Sequence, residues 1–122
     1  MPLKYEELTE QIIGAAFEVF NHLGYRFLEK VYQRAMQVKL KLRNIESELE
    51  KLVKVNFKGY IVGDYAADLL VEDKVLVELK VATNYNPKDE PQLLNELNAT
   101  DHKVGLLINF AKKKVEFKRF IY

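Results

Sequence analysis

The sequence predicts an α/β fold, a central mixed sheet of about five strands with helices packed against it. Two N-terminal segments repeat apolar residues at every third or fourth position, which is typical of amphipathic helices. Apolar runs of strand length follow, and a third helical segment separates the last two strands from the first three. This order of elements favours one sheet flanked by helices.

The first two elements are predicted to form an N-terminal helical hairpin. One helix runs from Glu6 to His22, and Gly24 suits its C-terminal end. The second runs from about Phe27 to Arg43, with lysine and arginine on the side away from its apolar stripe. Both helices therefore have one apolar face, and we expect these faces to be buried.

A strand is predicted from Leu49 to Phe57, where apolar and polar residues alternate. Lys58-Gly59 and Val62-Gly63 are predicted to be tight turns, because glycine follows a residue that can occupy a turn position. The segment Tyr60–Val62 between them would then be short.

A second hairpin is predicted around Glu72-Asp73-Lys74. The apolar residues Leu69–Val71 and Val75–Val77 flank this polar turn and would pair as antiparallel strands. Val75–Val81 has apolar residues on both alternating faces, as in a central strand that is covered on both sides.

The remaining elements are a helix and two strands. Pro91 suits the first position of a helix that runs to about Thr100. Val104–Phe110 is a continuous apolar run, and Val115–Phe120 is predicted to pair with it through the turn Ala111–Lys114.

Three charged residues occupy the predicted hairpin. Side chains on a strand alternate between its faces, so Glu78 and Lys80 point the same way, and folding the hairpin brings Asp68 near them. An isolated Glu-x-Lys pair is usually an ordinary solvated strand face. In a covered strand, two carboxylates and an ammonium suit a site for a divalent cation, with the lysine beside a phosphate oxygen or an attacking water.

Asp68 followed by Glu78-Leu79-Lys80 resembles the PD-(D/E)XK nuclease superfamily. The chain is more closely similar to the small bacterial and archaeal GxxExxY proteins, whose helical motif it fits at Glu29 and Tyr32, with Arg26 in place of the glycine. This resemblance extends from Leu8 to the C-terminus and also includes the hairpin, the last helix and the Val104–Phe110 strand.

The resemblance implies a restriction-endonuclease-like core and metal-dependent hydrolysis of DNA or RNA. It implies Mg²⁺ or Mn²⁺ bound by Asp68, Glu78 and the backbone carbonyl of Leu79, with Glu29 completing the site or serving only as a surface glutamate. Gln92 either orients site groups or caps its helix. Superfamily members with this glutamine have a tyrosine four residues later, where this chain has Glu96.

Composition limits the other functions. A chain of 122 residues with 48% hydrophobic residues is expected to form one domain, residues 1–122. The absence of cysteine excludes disulfides and thiolate metal sites, and it fits the cytoplasm. We find no signal peptide and no run near the roughly 20 apolar residues of a membrane span, so a soluble protein is expected.

Two other functions stay open. A formal net charge of +1 gives no global electrostatic case for nucleic acid, and the altered motif positions suit a catalytically degenerate binding module. The apolar tail Val115–Tyr122 suits an edge strand that joins copies of the chain into a homo-oligomer or scaffold. The turn Lys112–Lys114 offers phosphate contacts, although a charged turn is usually only a solvated turn. His22 and His102 are expected to be surface residues.

Overall fold

The structure is a computed structural model, and it describes residues 4–122. The residues 1–3, on which the expectation of no leader partly rests, lie outside the described part. The helices are α1 (Glu6–Leu23), α2 (Glu29–Leu42) and α3 (Glu90–Ala99), the last preceded by a short 3₁₀ turn, Pro87–Asp89. The strands are β1 (Ser47–Phe57), β2 (Tyr60–Val71), β3 (Val75–Lys80), β4 (Val104–Phe110) and β5 (Val115–Ile121).

The five strands form one mixed sheet in the order β1-β2-β3-β4-β5. Neighbouring strands are antiparallel except β3 and β4, which are parallel and joined through α3. The predicted hairpin has the expected register, with Leu69 opposite Val77, Leu70 opposite Leu76 and Val71 opposite Val75. The predicted α/β fold class, with its five-stranded sheet, flanking helices and N-terminal helices, is confirmed.

Each face of the sheet has its own apolar core. The helices α1 and α2 cover one face, where Val75, Val77 and Leu79 of β3 are buried. The helix α3 covers the other face, where Leu93 and Leu97 pack against Leu76. The strand β3 is thus covered on both sides, which explains its apolar residues on both faces.

The predicted turn at Val62-Gly63 is wrong. The strand β2 is continuous from Tyr60 to Val71, and Gly63 lies inside it, opposite Val55. A Cβ at position 63 would lie 3.2 Å from the Val55 side chain, so the glycine accommodates the neighbouring strand. The turn at Lys58-Gly59 is present, and both residues have positive φ angles, 50° and 85°.

The hairpin of β1 and β2 extends far beyond β3. Pairing between β1 and β2 continues from Ser47 opposite Val71 to Phe57 opposite Tyr60. Only Leu69–Val71 of β2 pair with β3. We call the extended part, residues 51–66, the arm. One side of the arm approaches α3, where the Asn95 amide donates a hydrogen bond to the Tyr65 hydroxyl over 3.1 Å.

The two histidines differ in exposure. His22 is exposed, as expected, but His102 is not a free surface residue, because its Nε2 lies 3.1 Å from Asp73 Oδ1 and its side chain is only 17% exposed. The strand β5 lies at one edge of the sheet, the position that the oligomer alternative requires. Within residues 4–122, no helix is both long and apolar enough to cross a membrane.

Candidate active site

The candidate site lies where β2 and β3 separate. Their backbone pairing stops at Leu69 opposite Val77. One residue further, the side chain of Asp68 takes over, and its Oδ2 accepts a hydrogen bond from the Leu79 backbone N–H over 2.7 Å. This bond holds the Asp68 carboxyl between the two strands, beside the Glu78-Leu79-Lys80 segment.

Glu78 lies between two other carboxyl groups. Glu78 is 3% exposed, and its carboxyl faces those of Glu96 and Asp68. Burial, followed by the negative charge of Asp68 and the neighbouring Glu96 carboxyl, raises the pKa of Glu78 far above its ordinary value. Burial also raises the pKa values of Asp68 and Glu96. Three carboxyls this close together in a largely buried site cannot all be charged without a compensating cation or protons.

Glu29 and Lys80 face the same group of carboxyls. Glu29 is the first residue of α2 and is partly buried, and its pKa is raised by burial and then by the charge of Asp68. Lys80 ends β3 and is also partly buried, and its charge favours ionisation of Glu29, Asp68 and Glu96. The structure therefore brings Glu29, Asp68, Glu78 and Lys80 close to one another.

Gln92 reaches the same place from α3. Its amide Nε2 lies 3.3 Å from Glu78 Oε1 and also 3.3 Å from Glu96 Oε2, so it donates toward both carboxyls. This placement agrees with the site-orienting alternative for Gln92 more than with a helix cap, because the amide nitrogen faces the carboxyls and not the helix end.

No site role was predicted from the sequence for three buried polar residues around the site. Gln33 Nε2 donates to the Asp68 backbone carbonyl over 2.9 Å. Glu96 is fully buried, and its Oε1 has no hydrogen-bond partner within residues 4–122. Asn109 accepts from the Ala82 N–H over 2.9 Å and donates to the Ala82 carbonyl over 3.0 Å, which fixes the chain just after Lys80.

Weak signals for these residues were present in the sequence. Gln33 follows Glu29 by one helical turn, and Glu96 follows Gln92 by one helical turn, so each pair shares a helix face. Asn109 interrupts an otherwise apolar strand, where a polar side chain requires a partner.

The donor atoms suit a hard cation. Among the described residues, no group of three or more His, Cys, Asp or Glu residues has the arrangement of a complete metal site. Mg²⁺, however, usually takes only one or two carboxylates and keeps several waters. The oxygens of Asp68 and Glu78 meet that requirement, and the unpartnered Oε1 of buried Glu96 shows a local excess of acceptors.

A helix-flanked mixed sheet with Asp68 on one strand and Glu78-Leu79-Lys80 on the next defines a protein of the restriction-endonuclease-like class. The model of the PD-(D/E)XK nuclease superfamily matches residues 6–120. The chain belongs to this superfamily.

A solved structure shares the fold. The crystal structure of SSO0001 aligns with 97% of this chain at 17% sequence identity and a TM-score of 0.58. The chain spans 59% of the length of that protein. At this identity the likeness shows the fold alone. No curated protein matches the sequence significantly.

Proposed function

We propose that the chain is a divalent-metal-dependent nuclease that hydrolyses phosphodiester bonds in DNA or RNA. The observation that carries this proposal is the 2.7 Å bond from the Leu79 N–H to Asp68 Oδ2, because it joins the two strands of the motif beside Glu78 and Lys80. Membership of a nuclease superfamily supports the same reaction.

Mg²⁺ or Mn²⁺ would be held by Asp68, Glu78 and the backbone carbonyl of Leu79, with Glu29 as a further ligand. Such a cation supplies Lewis-acid stabilisation of negative charge on the phosphate and lowers the pKa of water. The carboxyl oxygens would supply the negative charge that holds the cation. Divalent metals are typical of the superfamily.

Two other side chains, Lys80 and Gln92, would assist the reaction. Lys80 lies at the end of β3 beside the carboxyls, and its ammonium would contact a phosphate oxygen and position the attacking water. Gln92 donates toward Glu78 Oε1 and keeps that carboxyl in one orientation. The bond from the Leu79 N–H fixes the Asp68 carboxyl in the same way.

We also propose that the chain is a GxxExxY protein. The Tyr32 hydroxyl donates to the Gly24 carbonyl and accepts from the Arg26 N–H over 3.2 Å, which holds the loop before Glu29. Arg26 stands where the motif has glycine, but its φ angle is not positive. The backbone at this position therefore does not require glycine, and the departure leaves the loop intact.

The test is a cleavage assay on labelled DNA and RNA with and without Mg²⁺ or Mn²⁺. Asp68→Ala and Lys80→Ala should each lower the rate by at least about 100-fold, whereas Lys103→Ala, at the opposite end of the sheet, should leave it unchanged. Cleavage that survives both site substitutions would end the assignment.

A catalytically degenerate module is the second candidate. The observation in its favour is Glu96, a buried carboxyl where related sites have tyrosine. Calorimetric titration with Mn²⁺ separates the two functions, because the nuclease should bind Mn²⁺ in a manner that depends on Asp68 and Glu78. Absence of Mn²⁺ binding that depends on Asp68 and Glu78 would favour the module.

A homo-oligomer through β5 is a further proposal. This edge strand exposes 44% of Phe117 and 52% of Ile121. Phe117 already packs edge-to-face on Phe17 at 6.3 Å, so an added strand would extend this contact. Light scattering of the wild type and of Phe117→Lys would measure the mass, and a monomeric wild type would exclude the assembly.

A further inference from the structure

The tip of the arm exposes large apolar side chains. Phe57 is 59% exposed, and its cross-strand partner Tyr60, beside the Lys58-Gly59 turn, is 75% exposed; Ile61 (56%) and Val62 (63%) follow Tyr60 in β2. Isolated exposed apolar residues are common, but a contiguous group marks an interaction surface. Nothing in the fold of residues 4–122 covers this tip.

The arm points past the candidate site. Because β2 is antiparallel to β3, its Tyr60 end projects beyond the end of β3 at Lys80. Because β4 is parallel to β3, it ends on the same side, and the exposed turn Lys112–Lys114 follows it. The sheet order places the arm on one side of β3 and this turn on the other.

Lysines outnumber acidic residues in the arm and in the turn after β4, on either side of the carboxyls of the candidate site. The arm contains three lysines, Lys51, Lys54 and Lys58, and a single acidic residue, Asp64, although the whole chain has a net charge of only +1. None of the ion pairs among the described residues involves Lys54 or Lys58. The Lys112–Lys114 turn adds three further lysines.

We propose that the arm binds a single-stranded segment of nucleic acid and leads it across Lys80 toward the Lys112–Lys114 turn. This inference rests on the proposed nuclease function and specifies its substrate. Bases that are not paired expose both faces and can stack on Phe57 and Tyr60, while lysines contact phosphates. Lys58 Nζ lies 5.4 Å from the centre of the Phe57 ring, so a stacking surface and a cation are adjacent.

The charges favour nucleic acid over a second copy of the chain. A symmetric pair of arms would bring the lysines of both copies into one interface with only Asp64 of each arm to offset them, which is unfavourable. A polyanion removes this repulsion. Eight residues separate Tyr60 from Asp68, about 26 Å of strand, which matches about eight stacked nucleotides.

The experiment measures binding by fluorescence anisotropy in EDTA, with a labelled single strand of about 20 nucleotides as DNA and as RNA, and with its duplex. Phe57→Ala/Tyr60→Ala should weaken single-strand binding by at least about tenfold with little change in salt dependence. Lys54→Gln/Lys58→Gln should reduce the slope of log K against log salt concentration by about one to two. Tyr122→Ala is the matched control. Tyr122 is 58% exposed, and the centre of its ring lies 5.7 Å from Lys103 Nζ at the other end of the sheet.

Three results would overturn the inference: unchanged binding by Phe57→Ala/Tyr60→Ala, duplex bound as tightly as the single strand, or a wild-type dimer that this variant converts to monomers. The last result would assign the arm to a second copy. Because binding is measured without metal, a protein that binds through the arm but never cleaves would refute the nuclease function alone. A protein that cleaves through Asp68 but binds independently of the arm would refute this inference alone.

Discussion

At the scale of single residues, the candidate site places stability and metal binding in opposition. Glu78 is almost fully buried between the carboxyls of Asp68 and Glu96. In the metal-free protein this arrangement is unfavourable whenever these groups are charged, since a buried charge without a partner is costly. The same excess of oxygens would become favourable beside a divalent cation.

Metal-free stability should fall as the pH rises. The pKa of Glu78 is higher in the folded chain than its ordinary value of 4.5, so the folded state retains a proton that the unfolded state has lost. The contribution of Glu78 to the free energy of unfolding is therefore highest below pH 4.5 and decreases as the pH rises through and above that value. Urea unfolding in EDTA at about pH 5 and about pH 8 measures this difference.

Glu78→Gln should reduce that pH dependence. The variant should be more stable than the wild type near pH 8 by about 1–3 kcal/mol, because it removes a buried charge. Mn²⁺ should then stabilise the wild type and not the variant. Equal pH dependence in both proteins would contradict the placement of Glu78 among competing carboxyls.

Gln92 and Glu96 should act as one unit. Gln92→Leu and Glu96→Met should each weaken Mn²⁺ binding about tenfold, because each breaks the bridge that orients Glu78. The double variant should be no weaker than either single variant. Glu96→Gln keeps an acceptor for the amide and should remain near wild type. Calorimetry measures all four, and additive losses would show that Glu96 acts independently of Gln92.

At the scale of elements, the β2–β3 hairpin and the strands β4 and β5 were confirmed, and all of them depend on neighbouring residues. The register of the β2–β3 hairpin follows from a polar turn between apolar runs, and the strands β4 and β5 follow from continuous patterning. Gly63 was misread because a glycine signals a turn locally, whereas its actual reason is the Val55 side chain on the next strand. Gln33 was given no site role for the same reason, since its partner Asp68 lies on β2.

Tyr32 should stabilise the junction between α1 and α2. The ring is buried and stacks on Phe110 at 4.5 Å, while the hydroxyl satisfies the Gly24 carbonyl. Tyr32→Phe should lower the free energy of unfolding by about 1–2 kcal/mol, because it leaves that carbonyl short of a donor. Tyr25→Phe removes a hydroxyl from the same loop and should change stability little. Equal effects of both substitutions would argue against a specific role for the Tyr32 hydroxyl.

At the scale of the whole molecule, one end of the sheet collects the features that chemistry would use. The candidate site, the arm and the Lys112–Lys114 turn all lie at the end where β3 and β4 finish. The sequence predicted the sheet but not the position of these features at one end of it, because the length of the arm depends on how far β2 extends beyond β3. Net charge alone argued against nucleic acid, and the distribution of lysines qualifies that argument.

The bond between Asp68 and Leu79 makes one residue serve two purposes. The main chain of Leu79 holds the Asp68 carboxyl, while its side chain is fully buried under α1 and α2. A change in core packing at this position would thus move the backbone that fixes a proposed ligand. Substitutions deep beneath the helices, far from any substrate, are therefore expected to impair the site without altering any of its side chains.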